Sequence, residues 1–141
     1  MTSLNNLVRL HRWTLDEKRQ MLAELEQLHD KLNHDLSQLS VQLDQERAAA
    51  EKSEEGMATY PTFVAVVLER RRKLNGTIEK VEASIEAARE EVSDAYQELK
   101  KYEMAVSNHE KREKKKRDRL EQLMQDEQAA DTHRRRAAGA S

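Results

Sequence analysis

The chain has no cysteine, one proline and three glycines in 141 residues, and aromatic side chains make up 4% of it. Absent thiols exclude a disulfide framework and thiolate metal sites, and suit a cytosolic setting. So few helix breakers leave room for very long helices. Scarce aromatics, beside 37% hydrophobic and 37% charged residues, argue against a compact globular core. No uninterrupted apolar run approaches the roughly 20 residues of a spanning helix, and the opening MTSLNNLVRLHRW lacks the apolar centre of a secretory leader, so neither insertion into a membrane nor secretion is expected. A formal net charge of −2 gives no global attraction to nucleic acid or anionic lipid.

What the chain does have is a seven-residue beat. Val8, Leu15, Leu22, Leu36 and Leu43 mark one line, and Leu4, Leu25, Leu32 and Leu39 a second beside it. The beat breaks near residues 55–61 and resumes at Val64, Val67, Leu74, Ile78, Val81, Ile85, Val92 and Leu99. Sustained heptads separate this chain from a disordered one of similar charge and predict an all-α fold, a long antiparallel two-helix coiled-coil hairpin. The expected layout is one hairpin over residues 1–141. Helix one covers about 3–54, with Thr2 or Ser3 as its cap, and a turn at about 55–61 uses Gly56 as a left-handed terminator. Helix two runs from about Pro61 to about residue 132, with a flexible tail at 133–141. Helix two therefore overhangs helix one.

A turn centred near residue 58 would make cross-helix partners sum to about 116. That register places Leu4 near Arg112, Glu46 beside Arg70 and Arg71, and Lys18 beside Glu98. The polar seam residues then become register-setting pairs. His109, Glu113 and Lys116 enter the seam line where helix one runs out. Asn75-Gly76 is a strong hairpin dipeptide, but the apolar beat keeps phase through it, so it reads as a weak point or slight bend within helix two.

Catalytic and metal chemistry find no footing in this pattern. The histidines are His11, His29, His34, His109 and His133; His29 and His34 are five apart, whereas ligands on one helical face want three or four. His11 and His29 fall on the seam as polar interruptions. Phosphate-cradling glycine loops and nucleophile elbows are absent from the sequence, and no cofactor or enzymatic activity is expected.

Contact surfaces are a different matter. Lys111, Arg112, Lys114, Lys115, Lys116, Arg117 and Arg119 outnumber Glu113 and Asp118 in a run at the start of the overhang, and a second basic cluster spans residues 70–73. Aromatic interleaving for single strands is missing, so a protein partner fits these runs better than nucleic acid. Trp13 falls on the outermost face of helix one, with Leu10 one turn earlier and Arg9 and Arg12 beside it, the composition of a contact hot spot. Phe63 flanks the seam, Val66 points away from it, and Leu120, Leu123 and Met124 would be bare on a lone helix.

The order and spacing of several features resemble the FliJ family, the small stalk-like subunit of the flagellar type III export apparatus. The carriers are Leu4, Leu7 and Leu10 followed by Thr14-Leu15-Asp16-Glu17-Lys18, the helix-break-helix plan, Tyr60-x-x-Phe63 at the opening of helix two, and the charged run at 110–121. The resemblance implies a non-enzymatic protein whose open end enters the pore of a hexameric flagellar export ATPase. Leu4, Leu7, Leu10, Trp13 and the basic run Lys111, Arg112, Lys114, Lys115, Lys116, Arg117 and Arg119 would engage that ring. It further implies contact with the cytoplasmic domain of the export-gate membrane protein through Tyr60, Phe63, Val67 and Leu74, contact with export chaperones, and a cytoplasmic location peripheral to the inner membrane at the flagellar base. Gln42 and Glu46 stand where some members carry mid-helix tyrosines, a departure in the first-helix half of any gate site. Two rivals stay open: a homodimeric adaptor pairing through Leu120, Leu123 and Met124, and a nucleic-acid or anionic-surface binder using the basic runs.

Overall fold

A computed structural model of the chain describes residues 2–139. It contains two helices, α1 over Thr2–Ala50 and α2 over Glu54–Gly139, which pack against each other as a helical hairpin. Contacts divide the chain into two units: Arg12–Gln97, which holds the closed end, and Met1–His11 with Glu98–Ser141.

In the unit Arg12–Gln97 the heptad line becomes the core. Leu15, Val67, Ile78, Val81, Ile85 and Ala88 are buried, and Leu22, Leu25, Leu32, Leu36, Leu39, Leu43, Val64, Leu74 and Val92 are half-buried. Leucine and valine at these positions put one apolar stripe on each helix, and burying both stripes is what holds the pair together. The alignment is antiparallel. Lys18 Nζ lies 3.2 Å from Glu91 Oε2, His29 Nε2 lies 3.1 Å from Glu82 Oε1, and Arg71 Nη2 lies 3.3 Å from Ser40 Oγ.

These pairs correct the expected register, since their numbers sum to about 110 and not 116. Lys18 meets Glu91, one heptad short of Glu98, and Arg71 donates to Ser40, while Glu46 stays exposed and without an ion pair. The cause is the position of the turn. Residues 51–53 form it, where 55–61 was expected, because Ser53 is the better cap: its Oγ accepts the Gly56 amide at 3.0 Å, and Glu54 and Glu55 complement the positive end of α2. Gly56 serves close approach instead of a left-handed stop. Its φ is not positive, and a Cβ built there would lie 2.9 Å from Ala50 Cα. Pro61 consequently sits inside α2, where its missing amide leaves one backbone carbonyl without its helical donor.

Helix α2 passes through Asn75-Gly76 without interruption, and Gly76 has open space around it. His29 takes both neighbours with a single tautomer: Nε2–H donates to Glu82, and Nδ1 accepts from Asn33 at 3.2 Å.

The unit of Met1–His11 and Glu98–Ser141 is built on the same stripe. Val8 and Leu99 are buried, Leu4, Tyr102, Ala105, Val106 and His109 are half-buried, and the His11 and Tyr102 rings stack at 4.4 Å with 16° between their planes. One heptad back from His11 and one on from Tyr102 gives Leu4 and His109, and burial stops at His109. Every residue from 110 to 139 is exposed. The overhang thus begins slightly before the expected Arg112. The tail differs from expectation as well: residues 133–139 continue α2, with Arg134 paired to Asp131 and no breaker before Gly139. Ala140, Ser141 and the side chain of Thr2, the expected cap, lie outside the described residues.

Candidate functional site

Among the described residues no polar or charged side chain is fully buried, and no group of three His, Asp or Glu residues is placed to hold a metal ion. A shallow groove of about 620 Å³ in the unit Arg12–Gln97 is lined by Glu26, His29, Asp30, Glu82, Ile85, Glu86 and Arg89, mostly solvated acids with one apolar floor residue. Such an arrangement has little to desolvate a reacting group. The residues expected to make contacts fall on two exposed surfaces.

The first lies on the overhang. All seven cations of residues 111–119 are exposed, and within the run only Lys116 has an ion pair, with Glu113 at 3.7 Å. Lys111, Arg112, Lys114, Lys115, Arg117 and Arg119 are left to solvent because α1 ends before it can flank them. Leu120, Leu123 and Met124 follow at 60%, 59% and 70% exposure. In the same unit Leu7 and Leu10 are exposed, whereas Leu4 is half-buried in the seam. Trp13 falls in the unit Arg12–Gln97, at 59% exposure, on the outward face expected from its heptad position.

The second surface lies at the closed end. Tyr60 and Phe63 are half-buried and line a small cleft of about 130 Å³ with Glu46, Ala49, Ala50, Gly56 and Thr59. Leu74 is half-buried. Val67 corrects a reading: at 1% exposure it is core, where it cannot touch a partner directly. Met57, Val66 and Leu68 are exposed nearby; Val66 was legible from its outward heptad position, and Met57 and Leu68 were missed. For Leu68 the signal was the apolar density of residues 63–68, too high for one seam.

At residues 69–73 one cation of the basic cluster, Arg72, is paired within the chain. Arg72 holds Glu69 through two hydrogen bonds of 3.0 and 2.7 Å, which lower the Glu69 carboxyl below its ordinary value and raise Arg72. Arg71 is engaged with Ser40.

Two helices packed along a heptad seam are what the sequence resemblance implied, and a family model described as Flagellar FliJ protein matches residues 1–138. The chain belongs to the FliJ family. No curated protein and no solved structure matches it. As a FliJ-family protein it is a component of the flagellar export apparatus, in a family that is non-catalytic. Among its described residues no helix is long and apolar enough to cross a membrane.

Proposed function

We propose that this FliJ-family chain acts by contact alone, as a stalk that engages the hexameric flagellar export ATPase and the cytoplasmic domain of the export-gate membrane protein, and that it also serves export chaperones. The work would take place on the cytoplasmic side, peripheral to the inner membrane at the flagellar base. The observation that carries the ATPase half is the overhang: a helix with seven cations over residues 111–119 and only one of them paired within the chain. Leu7 and Leu10 add apolar contact in the same unit, with Leu4 beneath them in the seam, and Trp13 is a contact in its own right. Tyr60 and Phe63 with their cleft, flanked by Val66 and Leu68, support the gate half; Leu74 and the buried Val67 hold that surface in place.

A single chain meeting a ring of identical subunits breaks the ring's symmetry. If it binds one nucleotide state of a subunit more tightly than another, it shifts the ring's populations and favours assembly without doing chemistry itself. The test is hydrolysis by the cognate export ATPase, alone, with the full chain, and with a variant carrying Lys114→Gln, Lys115→Gln and Arg117→Gln. Stimulation by the full chain that falls with the variant, in a salt-sensitive manner, is expected. Trp13→Ala should weaken stimulation with helicity unchanged. Absence of any effect on hydrolysis or hexamer assembly, with the chain folded, would defeat the reading.

A further inference from the structure

The overhang carries a second pattern that the basic run alone does not explain. Residues 111–119 hold seven cations and two acids, a net of +5, and residues 121–131 hold four acids, Glu121, Asp126, Glu127 and Asp131, and no cation. Between the two blocks sit the exposed Leu120, Leu123 and Met124. Continuing the two seam lines of α2 at intervals of seven gives Glu113, Leu120 and Glu127 on one and Lys116, Leu123 and Ala130 on the other. The apolar pair therefore lies on the face that α1 would cover if it were longer.

From this we propose that the overhang of one copy pairs antiparallel with the overhang of a second copy of this chain. In an antiparallel coiled coil each seam line faces the other line of its partner. Centring the two-fold axis between positions 121 and 122 sets Leu120 against Leu123 of the second copy, Lys116 against its Glu127, and Glu113 against its Ala130, and each layer occurs twice by symmetry. Arg119 and Arg117 then flank Asp126 and Asp131 of the other copy. A parallel, in-register pair would instead stack Lys116 on Lys116 and Glu127 on Glu127. Charge selects the antiparallel form.

Length agrees with charge. In that register His109 comes opposite Arg134, so the paired stretch ends where α1 takes over the seam, and the second copy's helix fills the place α1 vacates. The local cost is small, because the only intrachain ion pair Lys116 gives up is an exposed one at 3.7 Å. With one leucine pair at its centre the dimer is weak and salt-sensitive. Self-pairing covers the run over 111–119, so it competes with any other partner of that run.

Sedimentation of the full-length chain over a range of concentration at low salt tests the proposal without any other protein. The wild type should move from monomer to dimer. Lys116→Glu and Glu127→Lys should each weaken association by about tenfold or more, since each places like charges opposite one another in two layers. The double variant should restore it. Lys114→Glu makes the same change of charge on the outward face and should have a much smaller effect, which separates a seam layer from net charge. All three positions are exposed, so unchanged far-ultraviolet helicity accompanies the expected result. A wild type that stays monomeric at every concentration, singles that associate like the wild type, or a double variant no better than the singles would each overturn antiparallel self-pairing.

Discussion

Lys18 Nζ lies 3.2 Å from Glu91 Oε2, joining residues 73 positions apart at a seam that is otherwise largely apolar. Lysine at a core position reduces stability relative to leucine, and this acceptor offsets part of that cost by satisfying its ammonium at the seam. The pair is only part-shielded, with side-chain exposures of 34% and 54%, so its contribution is that of a surface bridge. Lys18→Glu should destabilise the hairpin by about 1 kcal/mol through like-charge contact, and adding Glu91→Lys should recover most of that loss. Urea unfolding of the two singles and the double, read as a double-mutant cycle, checks the coupling. Strict additivity would mean that the contact is absent in solution.

Gly56 and Gly76 lie on one helix, and alanine should act on them with opposite sign. At Gly56 a Cβ would meet Ala50 Cα at 2.9 Å and the Ala50 carbonyl oxygen at 3.0 Å, and backbone cannot step aside as a side-chain tip can. Gly56→Ala is expected to cost roughly 1–2 kcal/mol as the turn is pushed open. At Gly76 nothing lies within 4 Å, and the helix is regular, so Gly76→Ala should stabilise by about 0.5–1 kcal/mol through lower unfolded-chain entropy. Thermal unfolding of the two variants settles both, and equal shifts would refute the packing at the turn.

These glycines also mark where sequence reading succeeds and where it stops. The seam was legible throughout, from Val8 and Leu15 to Ile85 and Leu99, because burial of one stripe fixes a period. Phase conservation through Gly76 correctly outweighed the Asn75-Gly76 hairpin signal. The turn was misplaced because Gly56 and Pro61 are loud local breakers, while Ser53 as a cap and the Ala50 contact that demands glycine depend on two segments meeting. A shift of a few residues at the turn then carried through the register, which is why Glu98 was expected where Glu91 stands. Among the site residues, the outward faces of Trp13 and Val66 followed from heptad position, and the exposure of residues 111–119 followed from the length mismatch. The burial of Val67 followed from its seam position too, and it is the contact role implied by the family resemblance that this packing opposes.

Acidification should expose the Glu69 to Arg72 pair. The two hydrogen bonds from Arg72 lead the causes that hold the Glu69 carboxyl below its ordinary 4.5. A group lowered on folding contributes stability above its unfolded value and loses it as pH falls through the folded value. Both side chains are exposed, so the effect on global unfolding should be slight, and the informative readout is the carboxyl resonance of Glu69. Arg72→Gln should move its titration midpoint upward toward the ordinary value. A midpoint that does not move would show that the pair does not persist in solution.

Val66 and Val67 are adjacent and chemically identical, yet one is 48% exposed and the other 1%. Val67→Ala removes two methyl groups from the most buried side chain of the hairpin and should cost about 2 kcal/mol. Val66→Ala should stay within about 0.5 kcal/mol of the wild type. The difference bears on function because both lie in the closed-end surface proposed to meet the export gate. A binding defect from Val67→Ala should track the loss of folded protein and vanish when affinity is measured well below the unfolding transition. Val66→Ala, with the fold intact, should weaken gate binding at any temperature if that face is the contact. Equal stability of the two variants would place Val67 outside the core, and restore it as a residue able to touch a partner directly.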